Sequence, residues 1–249
     1  MSGHSKWATT KHRKGAIDKA RGKLFAKLIR QVEVAAREGG GDVSANATLR
    51  TMYQKARDAS IPLDTIERAI KRGTGELEGV RYESVNYEGY APAGVALIVE
   101  CLTDNRNRTG SDIRSTFSRN GGSMAEPGAV SWQFERKGVV MLAKSVGEDD
   151  LMAVALDAGA EDLSDEGDEW MLTSAPGDLP GLRQALETAS ISLESAEVEL
   201  VPSSRVAVED EATARRVLKL IELLEDLDDV QNVWSNFDIP DAILETVEV

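Results

Sequence analysis

Cysteine is nearly absent from this 249-residue chain. The single copy, Cys101, cannot close an internal disulfide, which excludes a disulfide-stapled scaffold and fits a reducing compartment. It lies in the apolar run VALIVECL (residues 95–102) and reads as a small buried hydrophobe. Histidine is almost as scarce. His4 and His12 are the only two, so a Ser/His or Cys/His nucleophile pair would have to reach across the molecule from the amino terminus. No CxxC, HxxxH, EF-hand or GxxxxGK[ST] pattern occurs, which removes the usual metal and phosphate-loop readings. The expectation is no catalytic residue, no metal and no cofactor, and the residues by themselves give an enzymatic reading no support. No apolar run approaches the roughly 20 residues of a membrane span, and no hydrophobic signal core follows Met1. A basic amino terminus can mimic an organellar transit peptide, but Trp7, Gly15 and Gly22 sit awkwardly in a presequence helix. No membrane partner is expected.

The formal charge of -14 argues against a polyanionic partner until it is divided along the chain. Residues 1–75 hold 16 Lys and Arg against 7 Asp and Glu, or +9, and residues 76–249 hold 13 against 36, or -23. The basic excess is concentrated in the first thirty residues, with nine Lys or Arg, both histidines, Trp7 and one acid, Asp18. Between Ser145 and Val201 there are 15 acids and one base, Arg183. A basic head on an acidic body suits a protein that meets a polyanion with one side and holds the other side away from it.

Apolar periodicity predicts helices over 17–37, 45–60 and 64–73, the last with Asp64 and Glu67 as a capping-box-like start. In the first, Lys19, Lys23, Lys27 and Arg30 fall in a stripe less than about 90° wide, opposite Leu24, Leu28, Val32 and Ala35. That stripe is either a binding face or a solvated one. The second and third helices resemble helix-turn-helix spacing weakly, and a plain helical hairpin fits as well. Beyond residue 78 the texture changes. Strands are predicted at 82–90, 95–102 and 130–135, the last with Val130, Trp132 and Phe134 on one face, and a helix starts at Thr109 or Ser111. Residues 138–201 then spell strand 139–143, helix 149–158, strands 161–164 and 169–173, helix 179–189 and strand 192–201. This is βαββαβ, the ferredoxin-like order. With that segment cut out, the flanks give strand 95–102, helix 110–119, strand 130–135, strand 205–208, helix 211–227 and strand 230–237, the same order again. The expected class is α+β: a basic helical domain with an arm (1–78), and two ferredoxin-like domains, one (138–201) inserted into the other (79–137 plus 202–249).

The candidate binding residues follow from this division. His4, Lys6, Trp7, Lys11, His12, Arg13 and Lys14 of the arm combine cations with an aromatic, as RNA or single-strand binders do. Lys19, Lys23, Lys27 and Arg30 extend the charge along the first helix. The loop TDNRNRT (103–109), between a buried strand and a helix start, places Asn105, Arg106, Asn107 and Arg108 beside free helix N–H groups, an arrangement suited to phosphate or to an unstacked base. The same loop also reads as a structural turn in which Asp104 and Asn105 satisfy backbone donors and Arg106 or Arg108 pairs with Glu100 or Glu126.

Seven stretches together, GHSKW (3–7), KHRK (11–14), KLFAKLIR (23–30), AREGGGD (36–42), YEGY (87–90), LTDNRNRT (102–109) and WQFERKG (132–138), resemble the YebC family of probable transcriptional regulators, related to mitochondrial translational activators of cytochrome c oxidase. They cover the first 138 residues densely and the remainder by pattern. APAG (91–94) departs from the glycine-richer GPGG-like loop expected there. The resemblance implies three domains and a cytoplasmic, non-enzymatic protein. It also implies either DNA binding with transcriptional control or association with ribosomal RNA and the ribosome that relieves translational stalling.

Overall fold

The computed structural model describes residues 17–167, 169–244 and 246–247. Helices α1 (Ile17–Gly39), α2 (Ala47–Asp58) and α3 (Leu63–Thr74) open the chain. They bury Leu28, Val32, Ala35, Ala36, Leu49, Ala56, Ile61, Ile66 and Ala69 in one cluster. Leu24, expected on the inward face of α1, is 48% exposed. The helix α3 starts differently from expectation. Its N-cap is Pro62, with no capping side chain, and Asp64 pairs instead with Arg68 one turn on. Close packing of α1 on α3 depends on Gly73, where a Cβ would come within 2.8 Å of the Ala36 Cβ. Beside this contact the buried carboxylate of Glu33 is held between Arg72, at 2.9 Å, and Arg37, at 3.3 Å.

The next elements are β1 (Glu83–Tyr90), β2 (Ala96–Thr103), α4 (Arg106–Arg119), β3 (Ser123–Ala125) and β4 (Phe134–Ala143). Then come α5 (Glu148–Asp157), β5 (Ala160–Asp165), β6 (Glu169–Ser174), α6 (Leu179–Thr188) and β7 (Ser195–Pro202). The chain closes with β8 (Val206–Ala207), α7 (Glu211–Glu225), β9 (Val230–Ser235), β10 (Phe237–Asp238) and α8 (Asp241–Leu244). Two four-stranded sheets result, both antiparallel, with orders β3-β1-β2-β9 and β5-β6-β4-β7.

The second sheet, lying in sequence within the first, has the ferredoxin-like order expected of residues 138–201. Its helices α5 and α6 cover one face around Val140, Leu142, Leu151, Leu172, Leu182 and Leu186. The first sheet keeps the antiparallel class, but two strand assignments change. Of the strand expected at 130–135, only Phe134 and Glu135 are extended, and they open β4 and pair with β7 in the second sheet. Residues 131–133 make a 3-10 turn, because the buried Glu88 carboxylate accepts the backbone N–H groups of Gly128, Val130 and Ser131 and so removes the donors a ladder needs. Trp132 is consequently 74% exposed, not inward-facing. The strand after α4 is instead the short β3, paired with β1. Nor does 205–208 enter this sheet, since β8 pairs in parallel with β10. The central place beside β2 is filled by β1, which precedes β2 through the tight APAG connection. There Ala93 adopts a left-handed conformation at φ 61°, the backbone state a glycine-rich loop would reach without strain.

The face of the second sheet opposite its helices meets the helical region. Lys55 of α2 pairs with Glu197 of β7 at 2.7 Å. Next to it Glu199 is pushed up to about 7 by burial first and then by the Glu197 charge, against the counteracting Lys55. A carboxyl raised in the folded state contributes proton-linked stability that is complete below its ordinary value of 4.5 and is lost as pH rises through about 7. Glu199→Gln should flatten that slope and leave the variant more stable than the parent at alkaline pH, by about 1–3 kcal/mol. Urea unfolding across pH checks it, and equal slopes for both proteins would contradict it.

Candidate nucleic-acid interface

The basic stripe of α1 faces the end of α7. Lys23 Nζ donates to the Asp226 carboxylate at 2.8 Å and to its carbonyl at 3.1 Å, and Lys27 Nζ donates to the Glu225 carbonyl at 3.0 Å. Arg30 donates to the Asp228 carbonyl and lies 3.4 Å from the Asp229 carboxylate, with its guanidinium 5.5 Å from the centre of the Tyr82 ring. The last carbonyls of a helix have no partner within it and carry its negative dipole end, so cations from α1 complete α7. These three residues therefore have partners inside the protein, about 200 residues away in sequence. The side chain of Lys19, and His4, Lys6, Trp7, Lys11, His12, Arg13 and Lys14, lie outside the described residues.

Asp229 joins this contact to the TDNRNRT stretch. One of its carboxylate oxygens faces Arg30; the other accepts Thr109 Oγ1 at 2.7 Å, Arg108 Nη2 at 2.9 Å and Thr103 Oγ1 at 3.2 Å. Burial alone would raise this carboxyl. Hydrogen bonds from Thr109 and Arg108, with the charges of Arg108 and Arg30, outweigh that effect and hold it below the usual carboxylate range. Arg108 also binds Asp104 at 2.7 Å, and its own titration is driven upward by the same two carboxylates, Asp229 first. Neither Asp229 nor its hydroxyl partners stood out in the sequence, because the contact spans about 120 residues and links a helix start to a turn.

The stretch is the beginning of α4 more than a loop. Asn105 is the N-cap, accepting the Arg108 N–H at 3.1 Å, and the Tyr87 hydroxyl donates to the Arg106 carbonyl at 3.1 Å. The structural role expected for Asn105 is thus observed, and the pairing expected for Arg108 is observed with different partners. Glu100 instead binds Arg136 and Asn232. Arg106 and Asn107 are exposed, and Arg106 has only a long contact of 3.9 Å to the exposed Glu83. Of the four sequence candidates here, two build the turn and two face solvent. Cys101, beneath them, is driven up to about 12 by burial and the nearby Asp229, so the thiol stays protonated and unreactive. Among the described residues no cluster of His, Cys, Asp and Glu suits a metal ion, and no helix is long and apolar enough to cross a membrane.

Two family models match the chain: the TACO1/YebC protein N-terminal domain over residues 5–76 and the TACO1/YebC second and third domain over residues 82–237. A probable transcriptional regulatory protein of Acidothermus cellulolyticus is 58% identical over 249 residues, covering 99% of this chain and 100% of its own length. One of Salinispora arenicola is 58% identical over 246 residues, covering 98% of each. The crystal structure of a conserved hypothetical protein of Aquifex aeolicus superposes with a TM-score of 0.82 at 45% identity, covering 92% of this chain and 94% of that one.

Replacing the Asp229 carboxylate tests the network. Asp229→Asn keeps the shape but turns an NH2 group towards donors, and should cost about 2–4 kcal/mol at neutral pH. Because the carboxyl is depressed in the folded protein, its stabilisation is present above its ordinary value and is lost as pH falls through the lower folded one. The gap between parent and variant should therefore narrow below about pH 4. A variant as stable as the parent at neutral pH would contradict this role.

Proposed function

Since the chain belongs to the TACO1/YebC family, we propose that it is a non-enzymatic, nucleic-acid-binding regulator of gene expression, acting on ribosomal RNA as a translation factor that relieves stalling. The observation that carries this reading is the segregation of charge. No acid precedes Asp18, while residues 145–201 hold 15 acids and one base. With Lys23, Lys27 and Arg30 engaged on the end of α7, the arm, Lys19 and the first turn of α4 are what remain of the candidate residues to meet phosphate. The arm combines Lys6, Lys11, Arg13 and Lys14 with Trp7, His4 and His12, a composition suited to stacking on unpaired bases and to irregular RNA. A duplex reader among the helices has less support: the exposed side of α3 carries Asp64, Glu67, Arg68 and Lys71, with Asp64 and Arg68 paired to each other. The acidic sheet is repelled by phosphate and orients the molecule with its helical end inward.

The names of the relatives favour a second reading, promoter DNA bound by a transcriptional regulator. Sedimentation of cell lysate through a sucrose gradient separates the two. The proposal expects the protein in ribosomal fractions at low salt, released as salt rises. Absence from those fractions, together with footprinting of a defined promoter, would replace it with the DNA reading.

A further inference from the structure

Trp132 is 74% exposed and is the one exposed aromatic side chain among the described residues. The alternation Val130, Trp132, Phe134 would bury it, and Val130 and Phe134 do lie in a core cluster with Ala96 and Ile98. Only the middle ring is turned out. The buried Glu88 carboxylate turns it by accepting the backbone N–H groups of Val130 at 2.7 Å, Gly128 at 2.8 Å and Ser131 at 3.0 Å. Burial would raise the Glu88 carboxyl, but these bonds outweigh it and hold the group below the usual carboxylate range, so the turn keeps its charged acceptor at neutral pH. The residue after the ring is anchored as well. The Gln133 carbonyl accepts the Ser203 N–H at 2.7 Å, and its side-chain oxygen accepts Asn236 Nδ2 at 3.1 Å. The indole itself is fixed by one edge, since Trp132 Nε1 donates to the Ala129 carbonyl at 3.0 Å. Leaving a large apolar ring in water is unfavourable, and here a buried carboxylate holds it there.

We propose that Trp132 is a stacking platform for one unpaired base of a single-stranded RNA. An indole offers a wide π-face, every base has one, and the contact forms without a cation. That suits the surroundings, where the exposed neighbours in sequence, Ser131, Glu135 and Arg136, are polar and of mixed charge. A protein partner would use such a ring as the anchor of an apolar patch shielded by a rim. Among the described residues, no other exposed large hydrophobic lies between Val80 and Leu156 in the chain. Paired bases in a duplex bury the faces such a ring needs, so an unpaired strand is the occupant. Because the indole is fixed before the ligand arrives, little rotamer freedom is lost on binding. This rests on the RNA reading proposed above and deepens it, by giving the α/β part of the chain a base-contacting residue far in sequence from the basic arm.

The test measures anisotropy of a fluorescein-labelled single-stranded RNA with the full-length protein over a range of potassium chloride. Trp132→Ala should weaken binding on the order of tenfold at every salt concentration. Its salt slope should equal the parent's, because the slope counts phosphates neutralised and a stacked base adds none. Trp132→Phe, which keeps a ring, should retain most of the affinity, and Trp132→Leu, with apolar bulk but no π-face, should behave like Trp132→Ala. All three should melt near the parent temperature, since the side chain is exposed, and Leu156→Ala on α5 should bind as the parent does. Parent-like RNA binding by Trp132→Ala or Trp132→Leu would overturn the platform and leave the RNA reading standing. If Trp132→Ala bound the RNA as the parent does but left the ribosomal fractions, the ring would be an anchor for a ribosomal protein, and the platform would fall. A parent that binds neither the single-stranded RNA nor ribosomes would overturn both.

Discussion

The carboxylate of Asp229 is the point on which the arrangement of this protein turns. One of its oxygens faces Arg30 of the first helix, and the other takes the Arg108 and Thr109 donors at the start of α4 and the Thr103 donor at the end of β2. A buried carboxylate is stable only where donors replace the water it has lost, and here those donors come from three separate segments. Satisfying one charge thereby docks the helical region against the end of α7 and sets the first turn of α4 at the same time. Lys23 and Lys27 extend the docking by supplying cations to carbonyls that α7 leaves unpaired.

This docking changes what the charge pattern means. A row of four cations on one side of α1 looks like a polyanion-binding face, yet three of them already meet an acidic turn of the same chain. That turn, Glu225 to Asp229, presents to α1 carbonyl and carboxylate oxygens, anionic or partly negative acceptors that take the place phosphate oxygens would have. The candidate cations left over lie in the first nineteen residues and at the start of α4, and the acidic sheet stands apart from both in sequence. An uneven charge of this kind acts as orientation: phosphate attracts one end of the molecule and repels the other.

Much of the fold was legible in the residues, and the failures have physical causes. The βαββαβ rhythm of residues 138–201 was readable because each strand and helix there is bounded by turn residues and buries one face. The first sheet misled. Val130, Trp132 and Phe134 alternate like a strand, but Glu88, about 40 residues earlier, captures the backbone donors of that segment. The true neighbour of β1, Ser123–Ala125, is three residues long and flanked by Gly121 and Gly122, too short to leave a pattern. At the candidate site, the capping role of Asn105 was identifiable from type and position. The role of Asp229 had no local signal at all.

The claim that one basic end meets nucleic acid while the acidic sheet is held away is tested most directly by directed hydroxyl-radical probing of ribosome complexes. Cys101 is buried, so an iron chelate can be tethered selectively to a cysteine placed at Ser118 on α4 or at Leu156 on α5, which is 57% exposed. The account predicts localised ribosomal RNA cleavage from position 118 and little or none from position 156. Strong cleavage from position 156 with none from 118 would contradict it.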